Sequence, residues 1–155
     1  MHVTIPGYKT LTIDKLVFDF NGTLAVDGKI ADDVRNRLHR LAKDFDLYVL
    51  TADTYGTVRE TCSGLPVTVE VFPGSSAADG KLSIVNQLGA SSCACIGNGR
   101  NDAAMFEASA LSVAVFGREG TYGPLLLQAD VCTASITDAL DLFLYPARLI
   151  ADLRG

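Results

Sequence analysis

Short apolar runs alternate along this chain with segments whose apolar residues recur three or four positions apart. Runs rich in β-branched residues occupy Lys15 to Phe20, Asp46 to Leu50, Val67 to Val71, Ser92 to Ile96 and Leu111 to Val115, each followed by a polar or glycine-containing turn. Such runs predict strands buried on both faces. Between the first two, Ile30, Val34, Leu38 and Leu41 fall on one face of a predicted helix. Asp32 and Asp33 at its start and Lys43 at its end match the helix dipole. Leu82 to Leu88 and Ile136 to Leu144 read as further helices, and Val3 to Ile13 as a short hairpin turning at Pro6-Gly7. A tail beginning at Pro146 carries Leu149, Ile150 and Leu153, which can pack on the domain or on a second subunit.

Alternating strands and helices predict an α/β fold, a three-layer doubly wound parallel sheet with right-handed crossovers. Ligands of such sheets bind beyond the carboxyl ends of the strands. With 155 residues, 48% of them hydrophobic, the chain has material for one core. A single domain over 1–155 is expected, with 1–14 as a hairpin extension and 145–155 as the tail. No apolar run approaches the roughly 18 residues of a membrane span, and Met1 to Thr4 lack the basic start of a signal peptide. A cytoplasmic protein without membrane contact is therefore expected. The net charge of −5, with no cluster of Lys and Arg, disfavours nucleic acid as a partner. Cys62, Cys93, Cys95 and Cys132 lack paired CxxC spacing and read as core residues. Cys93 and Cys95, two apart on a strand, share one face, where a soft-metal or redox pair is the competing reading.

Candidate chemistry falls at four places, each beside the end of the sheet where ligands bind. Asp19-Phe20-Asn21-Gly22-Thr23-Leu24 follows the first strand. Its aspartate can attack phosphorus as a covalent nucleophile, and Gly22 permits a tight turn whose amides face a phosphate. The bland alternative is a strand-ending Asp in an Asn-Gly turn. Thr51 ends the second strand, where its hydroxyl can donate to a phosphoryl oxygen. Lys81 opens the helical stretch from Leu82, where an ammonium can offset phosphoryl charge or remain a solvated surface group. Ile96-Gly97-Asn98-Gly99-Arg100-Asn101-Asp102 runs from a strand through a glycine-rich loop into a helix. Such a loop offers side-chain oxygens to a hard cation, or is a tight turn with Asn101 or Asp102 as the helix cap.

In this order, Asp, Thr, Lys and Gly-Asn-Gly-x-Asn-Asp resemble the four motifs of the haloacid dehalogenase (HAD) phosphotransferase superfamily over about Lys15 to Val115. The resemblance implies the Rossmann-like fold of that group and a magnesium-dependent phosphohydrolase or phosphotransferase working through a phosphoaspartate at Asp19. Carried over, it makes Asp19 the nucleophile and a magnesium ligand, with the main-chain carbonyl of Asn21, Asn98 and Asp102 completing the metal site. Gly22, Thr23, Thr51 and Lys81 become the phosphate binders. The wording Asn-Gly-Thr-Leu-Ala, Leu-Thr-Ala-Asp-Thr and Ile-Gly-Asn-Gly-Arg-Asn-Asp is similar to that of soluble proteins related to the phosphorylation domain of P-type ATPases. The intervals from Thr23 to Thr51 and from Thr51 to Lys81 are too short for a cap domain. A capless, open site implies a bulky phosphorylated partner, small molecule or protein, or a lid lent by a neighbour in a homo-oligomer.

Two positions depart from that pattern. Asn21 stands where phosphatases of the superfamily carry an acid/base Asp, a role worth roughly 10²- to 10⁴-fold in rate. Asn98 stands where a magnesium-binding Asp is common, so magnesium affinity is expected to be weak. Slow catalysis is one expectation; the other is a non-catalytic phosphate-binding or regulatory module on the same scaffold. A receiver domain also uses an Asp, a hydroxyl residue and a Lys, but the Gly-Thr after Asp19 and the glycine-flanked fourth loop speak against it. Both departures are Asn-Gly pairs, the sequence most prone to deamidation, which would restore a carboxylate. Arg100 can reach a substrate anion or face solvent, Tyr122 can line the mouth of the site, and His2 and His39 read as structural or exposed.

Overall fold

The computed structural model describes residues 1–53, 56–72 and 76–155. Its centre is a six-stranded, all-parallel sheet of β3 (Lys15–Asp19), β4 (Asp46–Thr51), β5 (Thr68–Val71), β6 (Cys93–Gly97), β7 (Leu111–Val115) and β8 (Val131–Thr133). The spatial order is β5-β4-β3-β6-β7-β8. The chain winds outward from β3 to β5, crosses back to β6, and winds outward again. Winding therefore reverses between β3 and β6, a crevice just past two carboxyl ends where such sheets hold ligands.

Period-two alternation divides the core. Leu16, Phe18, Val49, Ala94, Ile96 and Val113 face one side, while Val17, Leu50, Cys93, Cys95 and Ala114 face the other. On the first side pack α1 (Asp32–Leu41), α5 (Ile136–Leu144) and α6 (Pro146–Leu153), through Val34, Leu38, Leu41, Leu140 and Leu149. On the second pack α3 (Ala77–Leu88) and α4 (Ala103–Ala108), through Val85, Met105 and Phe106. Cys93 and Cys95 do share one face, as small core residues, and burial raises the pKa of both thiols. Short α2 (Thr57–Thr61) joins β4 to β5.

The predicted hairpin forms from β1 (His2–Thr4) and β2 (Thr10–Thr12), with Gly7 at φ +77° in its turn. Tyr8 and Lys9 on this hairpin reach Asp130, whose second oxygen accepts from the amide and hydroxyl of Ser112 in β7. The tail folds as α6 and packs back on its own core through Leu149, with the Gly155 amide donating to the Pro6 carbonyl at 3.2 Å.

Two expectations are corrected, and one strand was not foreseen. Lys43 lies beyond the end of α1, whose last turn carries His39 and Arg40 instead. Strand β8 escaped the reading because only Val131 and Thr133 point inward from a three-residue edge. Helix α3 starts at Ala77, ahead of the predicted Leu82, because Ala77-Ala78-Asp79-Gly80 carries no apolar stripe. Ser76 caps it by accepting from the Asp79 amide at 3.3 Å. Lys81 thus sits in the second turn, at 1% exposure, where a surface charge would not be.

Candidate active site

Past the carboxyl ends of β3, β4 and β6 lies a cavity of about 670 Å³. Its walls include Asp19, Asn21, Thr51, Lys81, Asn98, Arg100 and Asn101, with Phe72, Ala77 and Ala78 on an apolar side. Lys81 is the organising charge. Its Nζ donates to Asp19 Oδ1 and to Asp102 Oδ1, each at 2.5 Å, and to Asn101 Oδ1 at 3.2 Å. An ammonium has three N–H donors, so this set engages all of them. Burial opposes the charge on Lys81, but the facing carboxylates of Asp102 and Asp19 outweigh it and its pKa is raised.

Asp19, 9% exposed, has its pKa raised to about 6. Burial is the main cause and repulsion from Asp102 the next, against the lowering pull of Lys81. Asp102 is fully buried, and its Oδ2 accepts from the amides of Asn98 at 3.0 Å and Gly99 at 2.8 Å. With Oδ1 on Lys81, both its oxygens are engaged behind the cavity wall. Close packing makes this possible, since a Cβ on Gly97 would come within 2.4 Å of Asp102 Oδ2.

Thr51 is 4% exposed, and its Oγ1 accepts from the Asp53 amide at 3.0 Å. That bond leaves its hydroxyl proton to be donated. Asp53 Oδ2 in turn accepts from the Thr57 hydroxyl and the Val58 amide, tying the turn after β4 to α2.

Thr23 and Gly22 are not brought to the wall of this cavity. Thr23 is 1% exposed and donates to Asn98 Oδ1 at 2.9 Å. Gly22, at φ +74°, lies so close that a Cβ there would stand 2.5 Å from Asn98 Nδ2. Both residues line a separate cavity of about 320 Å³ behind the turn. Asn98 Nδ2 donates to the Gly120 carbonyl at 2.9 Å, and its own carbonyl accepts from the Tyr122 amide at 2.8 Å. One asparagine therefore joins the turn after β3, the loop after β6 and the loop after β7. Sequence reasoning missed this role because Gly120 lies 22 positions away. Asn21 is exposed, and His2 and His39 lie on the surface away from the cavity.

No family model matches the chain. Among solved structures it is similar to the cobalt-bound deoxy-D-mannose-octulosonate 8-phosphate phosphatase of Haemophilus influenzae, with TM-score 0.71 and 19% identity over 86% of this chain and 88% of that one. The 3-deoxy-D-manno-octulosonate 8-phosphate phosphatase of Yersinia pestis gives TM-score 0.68 and 19% identity, covering 99% and 94%. The corresponding Moraxella catarrhalis enzyme, in complex with magnesium, phosphate and KDO, gives 0.63 and 17%, covering 90% and 92%. At these identities the likeness is one of fold, and it makes the chain a HAD-fold protein, with no cap domain among the described residues.

In sequence, 39 residues are 46% identical to an uncharacterized protein of Methanocaldococcus jannaschii, spanning 25% of this chain and 89% of that protein. The chain belongs to the same family as this archaeal protein. A second uncharacterized protein of that organism is 41% identical over 59 residues, which are 38% of this chain and 63% of the relative's length.

Proposed function

We propose that this protein is a magnesium-dependent phosphohydrolase or phosphotransferase that forms a phosphoaspartate on Asp19, and that it turns over slowly because position 21 is Asn. The observation carrying this reading is the buried contact of Lys81 with Asp19 at the floor of a cavity beyond the sheet's switch point. Lys81 holds one oxygen of the carboxylate, leaving the other to attack phosphorus while the leaving oxygen departs with its electron pair. Thr51 donates its remaining proton to a phosphoryl oxygen. For Lys81 to bind that group as well it must exchange a donor, and the bond to Asn101, at 3.2 Å, is the longest of the three.

Protonation of the leaving oxygen is the weak step. Asp19 is the only carboxylate among the described residues lining the main cavity, and an amide at Asn21 cannot give up a proton at neutral pH. The phosphoaspartate should therefore form readily only with good leaving groups and should persist. The resemblance to P-type ATPase phosphorylation domains supports the same expectation.

The donor set fits a hard cation. Magnesium is commonly held by one or two carboxylates with substrate phosphate and water. Asp19, the Asn21 carbonyl and the remaining lone pair of Asn98 Oδ1 would hold it, and Asp102 contributes charge because its oxygens are taken. Among the described residues no group of three or more His, Cys, Asp or Glu offers a richer cage, which supports weak binding. When bound, the cation offsets negative charge on the phosphoryl oxygens. The magnesium, phosphate and cobalt in the neighbouring structures support this assignment.

A second reading, a phosphate-binding module without turnover, is favoured by the amide at Asn21, which has no proton to give a leaving group. An assay with an aryl phosphate and with acetyl phosphate, following product release and acid-stable label, separates the two. The enzyme reading expects a magnesium-dependent burst of label on the wild type that Asp19→Asn abolishes, and faster turnover in Asn21→Asp. No label and no product from any variant would leave the binding module.

A further inference from the structure

We propose that Arg100 recognises a second anionic group on the substrate, so that the protein takes small phosphomonoesters carrying a carboxylate or another phosphate. The proposal rests on reading the cavity as a phosphomonoester site. Among its described wall residues, Lys81 and Arg100 are the two cations. Lys81 is 1% exposed and joined to Asp19, Asp102 and Asn101. Arg100 is exposed at the mouth, and among the described residues its guanidinium has neither an ion pair nor a side-chain hydrogen bond. Arg37 pairs with Asp141 at 2.8 Å, Arg148 with the same carboxylate at 3.4 Å, and Arg40 reaches the Tyr145 hydroxyl at 3.3 Å. Arg59, Arg118 and Arg154 share with Arg100 the lack of an ion pair among the described residues, but none of them lines this cavity.

Placement separates the work of the two cations. Asp19, Thr51 and Lys81 form a buried floor suited to the phosphoryl group. Arg100 opens the 3₁₀ turn Arg100–Asp102 above it, anchored because Asp102 bonds back to the Asn98 and Gly99 amides. Its backbone is thus fixed, while its head has no partner among the described residues. A volume of about 670 Å³ exceeds what a phosphate ion needs and lies within the roughly 300–1,000 Å³ of small-molecule sites. Floor and mouth together therefore suit a molecule with anionic groups at both ends, whose middle can lie along Phe72, Ala77 and Ala78. A guanidinium presents a planar fork that pairs two-to-two with a carboxylate or phosphate.

The test compares the affinity of the wild type and of Arg100→Gln for phenylphosphonate and for its meta- and para-carboxy derivatives, by titration calorimetry in magnesium buffer. These probes cannot be hydrolysed, so the result is independent of turnover. The proposal expects at least one carboxy derivative to bind the wild type roughly tenfold more tightly than phenylphosphonate, about the effect of one added charge-assisted contact. Arg100→Gln should bring that ratio close to one. A wild-type ratio already close to one, or a preference that survives in Arg100→Gln, overturns the role of Arg100 and leaves the phosphoryl site standing. Equal weakening of all three probes also overturns it, by assigning Arg100 to the phosphoryl group. Failure of phenylphosphonate to bind either protein overturns the phosphomonoester reading itself, and this proposal with it.

Discussion

Lys81 meets Asp102 at 2.5 Å with both side chains essentially inaccessible, at 1% and 0% exposure. A buried ion pair contributes little net stability when intact, but removing one partner leaves a charge without compensation. Lys81→Met is therefore expected to destabilise the protein by about 3–5 kcal/mol, since two carboxylates lose their shared cation. Adding Asp102→Asn to it should recover part of the loss. Urea denaturation of the two variants and the wild type checks this, and no recovery in the double variant would contradict the linkage.

Asp19 predicts a pH dependence. Its folded-state pKa of about 6 lies above the ordinary 3.8, so the folded protein holds this proton more tightly than the unfolded chain. The corresponding stability is fully present below about 3.8 and is lost as pH rises through about 6. Asp19→Asn mimics the neutral form at every pH. In metal-free buffer, the stability of the wild type relative to Asp19→Asn should fall between pH 4 and pH 7, as measured by urea titration. A difference that stays flat or grows would contradict this origin of the shift.

Asn98 both accepts from Thr23 and donates to Gly120, which no carboxylate can do. Asn98→Asp should place negative charge against the Gly120 carbonyl and cost about 1–3 kcal/mol, the usual penalty for a spoiled polar contact. Faster hydrogen exchange over residues 117–122 in the variant would mark the released loop. Tighter magnesium binding with unchanged exchange would show that the amide's structural role is minor.

The two Asn-Gly pairs should age differently. Both glycine amides are bonded, Gly22 to the Ala25 carbonyl and Gly99 to Asp102, but the Asn98 side chain is held through both atoms of its amide whereas Asn21 is exposed. Deamidation needs the glycine nitrogen to attack the Asn side chain with loss of ammonia, a motion the anchored side chain resists. Peptide mass spectra of protein stored at alkaline pH should show conversion at position 21 well before position 98. The reverse order would mean that the clamp around Asn98 opens readily.

Much of the architecture was legible in the chain because burial on two faces leaves a strong local signature. Five continuous apolar runs became β3, β4, β5, β6 and β7 with bounds shifted by a residue or so; Val34, Leu38 and Leu41 became the buried face of α1, while Ile30 is buried just ahead of its start. The spacing of Asp19, Thr51, Lys81 and the Gly97 loop likewise implied one site, because parallel strands deliver their carboxyl ends to one edge. A three-residue edge strand such as β8 and the apolar-poor first turn of α3 carry too few periodic positions to be read this way.

How the polar residues share their bonds depends on the folded arrangement. The residue types and the end of the sheet where they gather were readable along the chain, since periodicity and strand polarity are local properties. Periodicity could not show that Asp102 turns both oxygens inward, that Thr23 faces Asn98 instead of the main cavity, or that Lys81 has all three donors engaged while the Arg100 side chain has no partner among the described residues. Apart from the local bonds of Asp102 to the Asn98 and Gly99 amides, those outcomes depend on distances between segments 20 to 80 positions apart, which packing alone brings within hydrogen-bond reach.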